Sequence, residues 1–116
     1  MLTNRRNPDN LVSGVTASDV TTTDSTAVIA APGAACTVYI TDILVTNGHA
    51  TQATRVDILD GSTVKWTGYA AAAGGGFSQK LNSPLQGTAN TAWNVKCGTA
   101  GAAVRCSLSG FKSFES

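Results

Sequence analysis

Ala92-Trp93-Asn94-Val95-Lys96-Cys97-Gly98-Thr99-Ala100-Gly101-Ala102-Ala103-Val104-Arg105-Cys106-Ser107-Leu108-Ser109 is the stretch that decides the class of fold. Trp93, Val95 and Cys97 alternate with Asn94 and Lys96; Val104, Cys106 and Leu108 alternate with Arg105, Ser107 and Ser109. A period of two puts apolar side chains on one face and polar ones on the other, as a half-buried antiparallel strand requires. Gly98 and Gly101 lie between the two runs and suit a hairpin loop.

Upstream, the same grammar repeats. Residues 26–31 form a short β-branched run closed by Pro32-Gly33. Residues 36–47, CTVYITDILVTN, make the longest candidate strand and end at Asn47-Gly48. Val38 and Ile40 share one face, and so do Ile43 and Val45, but the two pairs are out of phase. A bulge or bend near Thr41-Asp42 is therefore expected. Residues 54–59 and 63–69 flank Asp60-Gly61-Ser62 and read as a hairpin, with Val56, Ile58, Val64 and Trp66 pointing inward. Residues 70–76, four alanines and three glycines, read as a flexible loop, because each glycine costs a helix about 1 kcal/mol. Phe77 and Leu81 mark a short strand, punctuated by Asn82-Ser83-Pro84. Phe111 and Phe114 are placed to cover an open end of the structure.

Seven or so strands in about 90 residues predict an all-β fold, a compact antiparallel two-sheet sandwich with jelly-roll or Greek-key connections. Residues 1–24 read differently. They carry Arg5, Arg6, Pro8, Gly14 and thinly spread aliphatics without period, which predicts an extended N-terminal arm preceding a sandwich at 25–116. Arg5 and Arg6 can pair with carboxylates of a partner surface, while Leu11 and Val12 can fill a shallow pocket.

Composition bounds the function. The 116 residues include 8 Lys plus Arg against 7 Asp plus Glu, a formal net charge of +1. That balance argues against a broad nucleic-acid surface. Only 13% of residues are charged, about half the usual share, with Thr, Ser, Ala and Gly in their place. No apolar run approaches the roughly 20 residues of a membrane-spanning helix. The N-terminus has basic residues but no apolar stretch behind them, so it does not read as a secretory signal. Three cysteines, Cys36, Cys97 and Cys106, have no metal-ligand spacing. They read as buried thiols, with a Cys97–Cys106 bridge across the terminal hairpin as the alternative.

Candidate chemistry is sparse. The one histidine, His49, has no convergent Cys or His to share a metal with, and no nucleophile elbow exists for it to serve. Asp57 and Asp60, with Asp42, offer at most a weak calcium site; the plainer reading is a turn residue and a solvated face. Gly74-Gly75-Gly76 lacks a phosphate-binding pattern. Trp66, Tyr69 and Trp93 would make a sugar-stacking platform if exposed together, but alternation places both tryptophans among apolar neighbours. No enzyme, metal or cofactor is expected.

The succession ITDILVTN, TRVDILDG, VKWTG, LNSPLQGTANTAWNVKCGTAG and AVRCSLSG resembles small structural proteins of tailed bacteriophages, across roughly residues 36–110. Within it PLQGTANTAWNV, residues 84–95, looks like a recurring stretch of such virion β-proteins. The resemblance implies a capsid decoration (cement) protein that binds the major capsid protein on the head surface, as a homotrimer, in the virion. It also leaves open a receptor- or glycan-binding tip domain of a tail fibre and a neck or tail connector.

Overall fold

In the computed structural model, residues 10–16 and 18–114 are described. Eight strands follow one another: β1 (Leu11–Val15), β2 (Thr26–Ile29), β3 (Cys36–Asn47), β4 (Thr54–Asp60), β5 (Thr63–Ala70), β6 (Gly75–Gln86), β7 (Trp93–Cys97) and β8 (Val104–Phe114). They form two four-stranded antiparallel sheets, in the orders β1-β8-β3-β6 and β2-β7-β4-β5. Each strand of the first half pairs with its mirror in the second: 1 with 8, 2 with 7, 3 with 6, 4 with 5. That is one long antiparallel ribbon, bent at the β4–β5 hairpin and rolled over itself. The all-β two-sheet sandwich is therefore a jelly roll.

The core lies between the sheets. Val38, Ile40, Ile43 and Val45 of β3 and Val104, Cys106 and Leu108 of β8 face Val56, Ile58, Trp93, Val95 and Cys97 of the other sheet, all essentially inaccessible to water. Trp93 also ties the sheets by a polar contact, its indole Nε1 donating to the Val38 carbonyl at 3.2 Å. The phase change in β3 is a bulge: Ile40 pairs with Gly110 and Asp42 with Ser109, so Thr41 is the extra residue. It lets both aliphatic pairs face inward along one strand.

Several expectations are corrected. The terminal hairpin does not form: β7 pairs with β2 and β4, whereas β8 pairs with β1 and β3. Both strands turn their apolar faces to the same core from opposite sides, so the glycine-containing loop arches from sheet to sheet. Part of the stretch read as an arm belongs to the sandwich. Leu11–Val15 pairs with β8 from Leu11↔Phe111 to Val15↔Ser107, and Val20 is buried and bridges Val104. Backbone pairing along β8 and closely approaching Gly14 replace the apolar period that the sequence lacks; a Cβ at Gly14 would overlap the Val28 carbonyl.

Smaller corrections concern phase, strand length and the C-terminal phenylalanines. Val64 is half exposed rather than inward. Ile58 pairs with Trp66 but Leu59 with Val64, so Lys65 bulges out and the alternation of β5 resets. The glycine-rich loop shrinks to residues 71–74, because Gly75 and Gly76 already belong to β6 and pair with Asn47 and Thr46. A side chain at Gly76 would strike the Val45 carbonyl. β6 runs on through Pro84, which is tolerated because β6 is an edge strand. Lys80 to Leu85 bulges outward, five steps against the two that β3 takes from Asp42 to Ile40. Finally, Phe111 and Phe114 extend β8 instead of closing an end; Phe111 stacks on Tyr39 with centroids 5.0 Å apart, and Phe114 is exposed.

Candidate functional site

The outer face of the β1-β8-β3-β6 sheet is where the molecule departs most from an ordinary solvated surface. Strand register lines its side chains up in rows across the sheet. One row is Leu11, Phe111, Tyr39 and Gln86; the next is Ser13, Ser109, Asp42 and Lys80; the third is Val15, Ser107, Leu44 and Ser78. The small serines in the middle leave a trough of about 650 Å3 between taller neighbours. A second depression of about 360 Å3, reaching to Leu11 and Thr41, shares Ser13, Asp42 and Ser109 with it. Leu11, Val15 and Leu44 stand on this face at 53%, 58% and 49% exposure. That is an unusual run of aliphatics for a water-facing sheet. Asp42, where the two depressions meet, lies across the β3–β6 register from Lys80 and receives a long hydrogen bond from Ser109 Oγ, 3.4 Å.

The expected site residues are dispersed. Arg5 and Arg6 lie outside the described residues. Leu11 and Val12 are separated by strand alternation: Leu11 points out, while Val12 is partly buried against the core. The two therefore do not fill one pocket together, and Val12 acts as a packing residue.

Asp57, Asp60 and Asp42 do not converge either. Asp57 is buried on the outer side of the second sheet, 3.3 Å from Arg55 and accepting from Thr67 Oγ1 at 2.8 Å. Asp60 accepts from Thr88 Oγ1 at 2.6 Å and from the Thr88 amide at 3.1 Å. Asp42 belongs to the other sheet. Among the described residues no cluster of metal-ligating side chains forms. His49 organises its own loop, Nδ1 accepting from the amides of Thr51 and Gln52 at 3.1 and 3.0 Å.

The aromatic platform is likewise absent. Trp93 is fully buried, Trp66 packs on Phe77, and Tyr69 alone is open, at 76% exposure. Tyr69 and Arg55 are cross-strand partners on the rim of a shallow cleft of about 330 Å3.

Residues 84–95, which carry the resemblance, prove to be a device for closing one end of the sandwich. The Gly87 amide donates to the Val38 carbonyl, and Thr88 is held by Asp60. Asn90, at φ 50°, takes the Gly33 amide on Oδ1 and gives its own amide to Cys36. Asn94 Nδ2 donates to the Gly61 carbonyl at 2.7 Å. Asn90 and Asn94 each meet a backbone group of another segment and Thr88 meets the Asp60 carboxylate, which is a structural role.

All three cysteines are free and buried. Burial, and secondarily the neighbouring Cys97, pushes the Cys106 thiol up to about 12. Burial and then the Asp57 carboxylate raise that of Cys97. Such thiols behave as small hydrophobes, not nucleophiles. No protein-family model matches the chain, and no curated protein matches it.

Proposed function

We propose that the protein is a bacteriophage virion component that decorates the capsid surface, a cement protein which strengthens the shell without catalysis. The observation that carries this reading is the jelly roll with a half-apolar outer sheet face. The fold recurs in viral capsid and lectin domains, and exposed Leu11, Val15 and Leu44 equip it for protein contact. Fold alone does not imply function; the likeness of residues 36–110 to small phage structural proteins supplies the context. The partner is the major capsid protein, reached through Arg5, Arg6 and Leu11, and the working form is a homotrimer. Copies repeated over a lattice multiply moderate interfaces into a large gain for the shell.

The test is reconstitution. Purified protein is mixed with heads that lack it, co-sedimented, and placed by cryo-electron microscopy; heads so decorated should withstand higher temperature. Absence of binding to heads would refute the reading. One specific feature favours a second reading, a glycan-binding tip domain: Tyr69 lies open beside Arg55 over a shallow cleft. Binding to host-surface glycans that is lost in Tyr69→Ala, without binding to heads, would establish it instead.

A further inference from the structure

We propose that the cleft beside Tyr69 binds a saccharide carrying a carboxylate, with the sugar ring on the Tyr69 face and the carboxylate on Arg55. This names the ligand class of the glycan-binding reading and rests on that reading. Charge on the outer face of the β2-β7-β4-β5 sheet selects an acidic ligand. The strands of this sheet carry three cations, Arg55, Lys65 and Lys96, all exposed. Against them stands one outward acid, Asp57, which is buried and accepts from Thr67 Oγ1. Asp60 lies in register with Trp93 on the core side. The face therefore carries surplus positive charge beside an open aromatic ring.

Arg55 is held ready for a second carboxylate. Its Nη2 donates to Asp57 at 3.3 Å, and its side chain is 48% exposed. It lies over Gly98, where a Cβ would come within 3.2 to 3.3 Å of the Arg55 Cβ, Cζ and Nε. A guanidinium presents five N–H groups, so the Asp57 bond leaves a planar fork that fits a carboxylate bidentately. Tyr69 is its cross-strand partner, and the negative face of the phenol ring suits the C–H groups of a pyranose. At about 330 Å3 the cleft is of the small-molecule kind. Topology disfavours an acidic peptide: extended peptides add to a free strand edge, whereas Arg55 stands on β4, paired on both sides with β5 and β7.

The test is calorimetric titration of the full chain with oligogalacturonate, alginate and hyaluronan oligosaccharides, and with the same oligomers after reduction of their carboxylates to alcohols. At least one carboxylated oligomer is expected to bind roughly tenfold or more tighter than its reduced form, as a charge-assisted pair gives. Arg55→Lys keeps a charge beside Asp57 but loses the fork, and is expected to remove that preference at an unchanged thermal midpoint. Tyr69→Ala is expected to weaken both forms alike. Should Arg55→Lys unfold the chain, Lys96→Gln carries the same test with a smaller effect.

Equal binding of carboxylated and reduced oligomers overturns the acidic ligand and leaves the glycan reading standing. So does a chain that binds host-surface glycans but none of these oligomers, whereas binding to neither removes the reading as well. Tighter binding to dextran sulfate or to polyglutamate than to every carboxylated oligomer also overturns the proposal, since sulfate or a peptide is then the partner.

Discussion

Replacing Asn47 by alanine should destabilise the fold more than its place at a strand end suggests. Asn47 is fully buried, and its amide holds three segments together. Oδ1 accepts from the His49 amide at 3.1 Å and from the Ala103 amide at 3.2 Å. Nδ2 donates to the Gln52 carbonyl at 2.7 Å, with a longer contact to the Ala70 carbonyl at 3.4 Å. Three sound bonds at roughly 1 kcal/mol each give about 3 kcal/mol, before any penalty for partners left unpaired. For a domain of this size that corresponds to a fall in Tm of about 10 °C. Urea titration followed by tryptophan fluorescence is the assay, because Trp93 is buried in the core and reports its opening. The midpoint should fall while the slope stays constant, the mark of a pure stability change. Asn47→Asp should fare no better, since it keeps the acceptors but faces two carbonyls with a buried charge. A loss of under about 1 kcal/mol in Asn47→Ala would contradict this account, because a single hydrogen bond is worth that much.

Three further outcomes are expected. Trp93→Phe removes the donor to the Val38 carbonyl and part of the indole, and should lower stability by about 1–3 kcal/mol in the same titration. Gly110→Ala drives a Cβ into the Tyr39 carbonyl where β8 crosses β3, so a loss of about 2 kcal/mol or more is expected from thermal unfolding. The third concerns pH. Cys106 has its pKa raised from 9.0 to about 12 in the folded chain, so the unfolded chain loses this proton first as pH rises. The stabilisation is complete below pH 9.0 and is lost as pH climbs towards about 12, which thermal midpoints across that range will show. Cys106→Val should flatten this decline, and a disulfide-exchange reagent should label the wild-type thiol only after unfolding.

The local grammar of this protein is written in its residues. Alternation at Trp93-Val95-Cys97 and Val104-Cys106-Leu108 marks strands because the pleat has a period of two. The phase slip between Ile40 and Ile43 likewise reveals a bulge within β3. The β4–β5 hairpin was legible from Asp60-Gly61, since its partners are near in sequence and the turn carries its own chemistry. Which sheet each strand joins was not legible. β7 and β8 look like a hairpin, and only tertiary structure places them on opposite walls of one core. β1 was invisible for a related reason: its stability comes from backbone bonds to β8, nearly a hundred residues away, and not from an apolar period of its own. The trough was beyond reach altogether. Ser13, Asp42, Ser78 and Ser109 come from four strands scattered through the chain. Separately each reads as an unremarkable polar position on a solvated face, and only the rolling of the ribbon, driven by burial of the opposite face, sets them side by side.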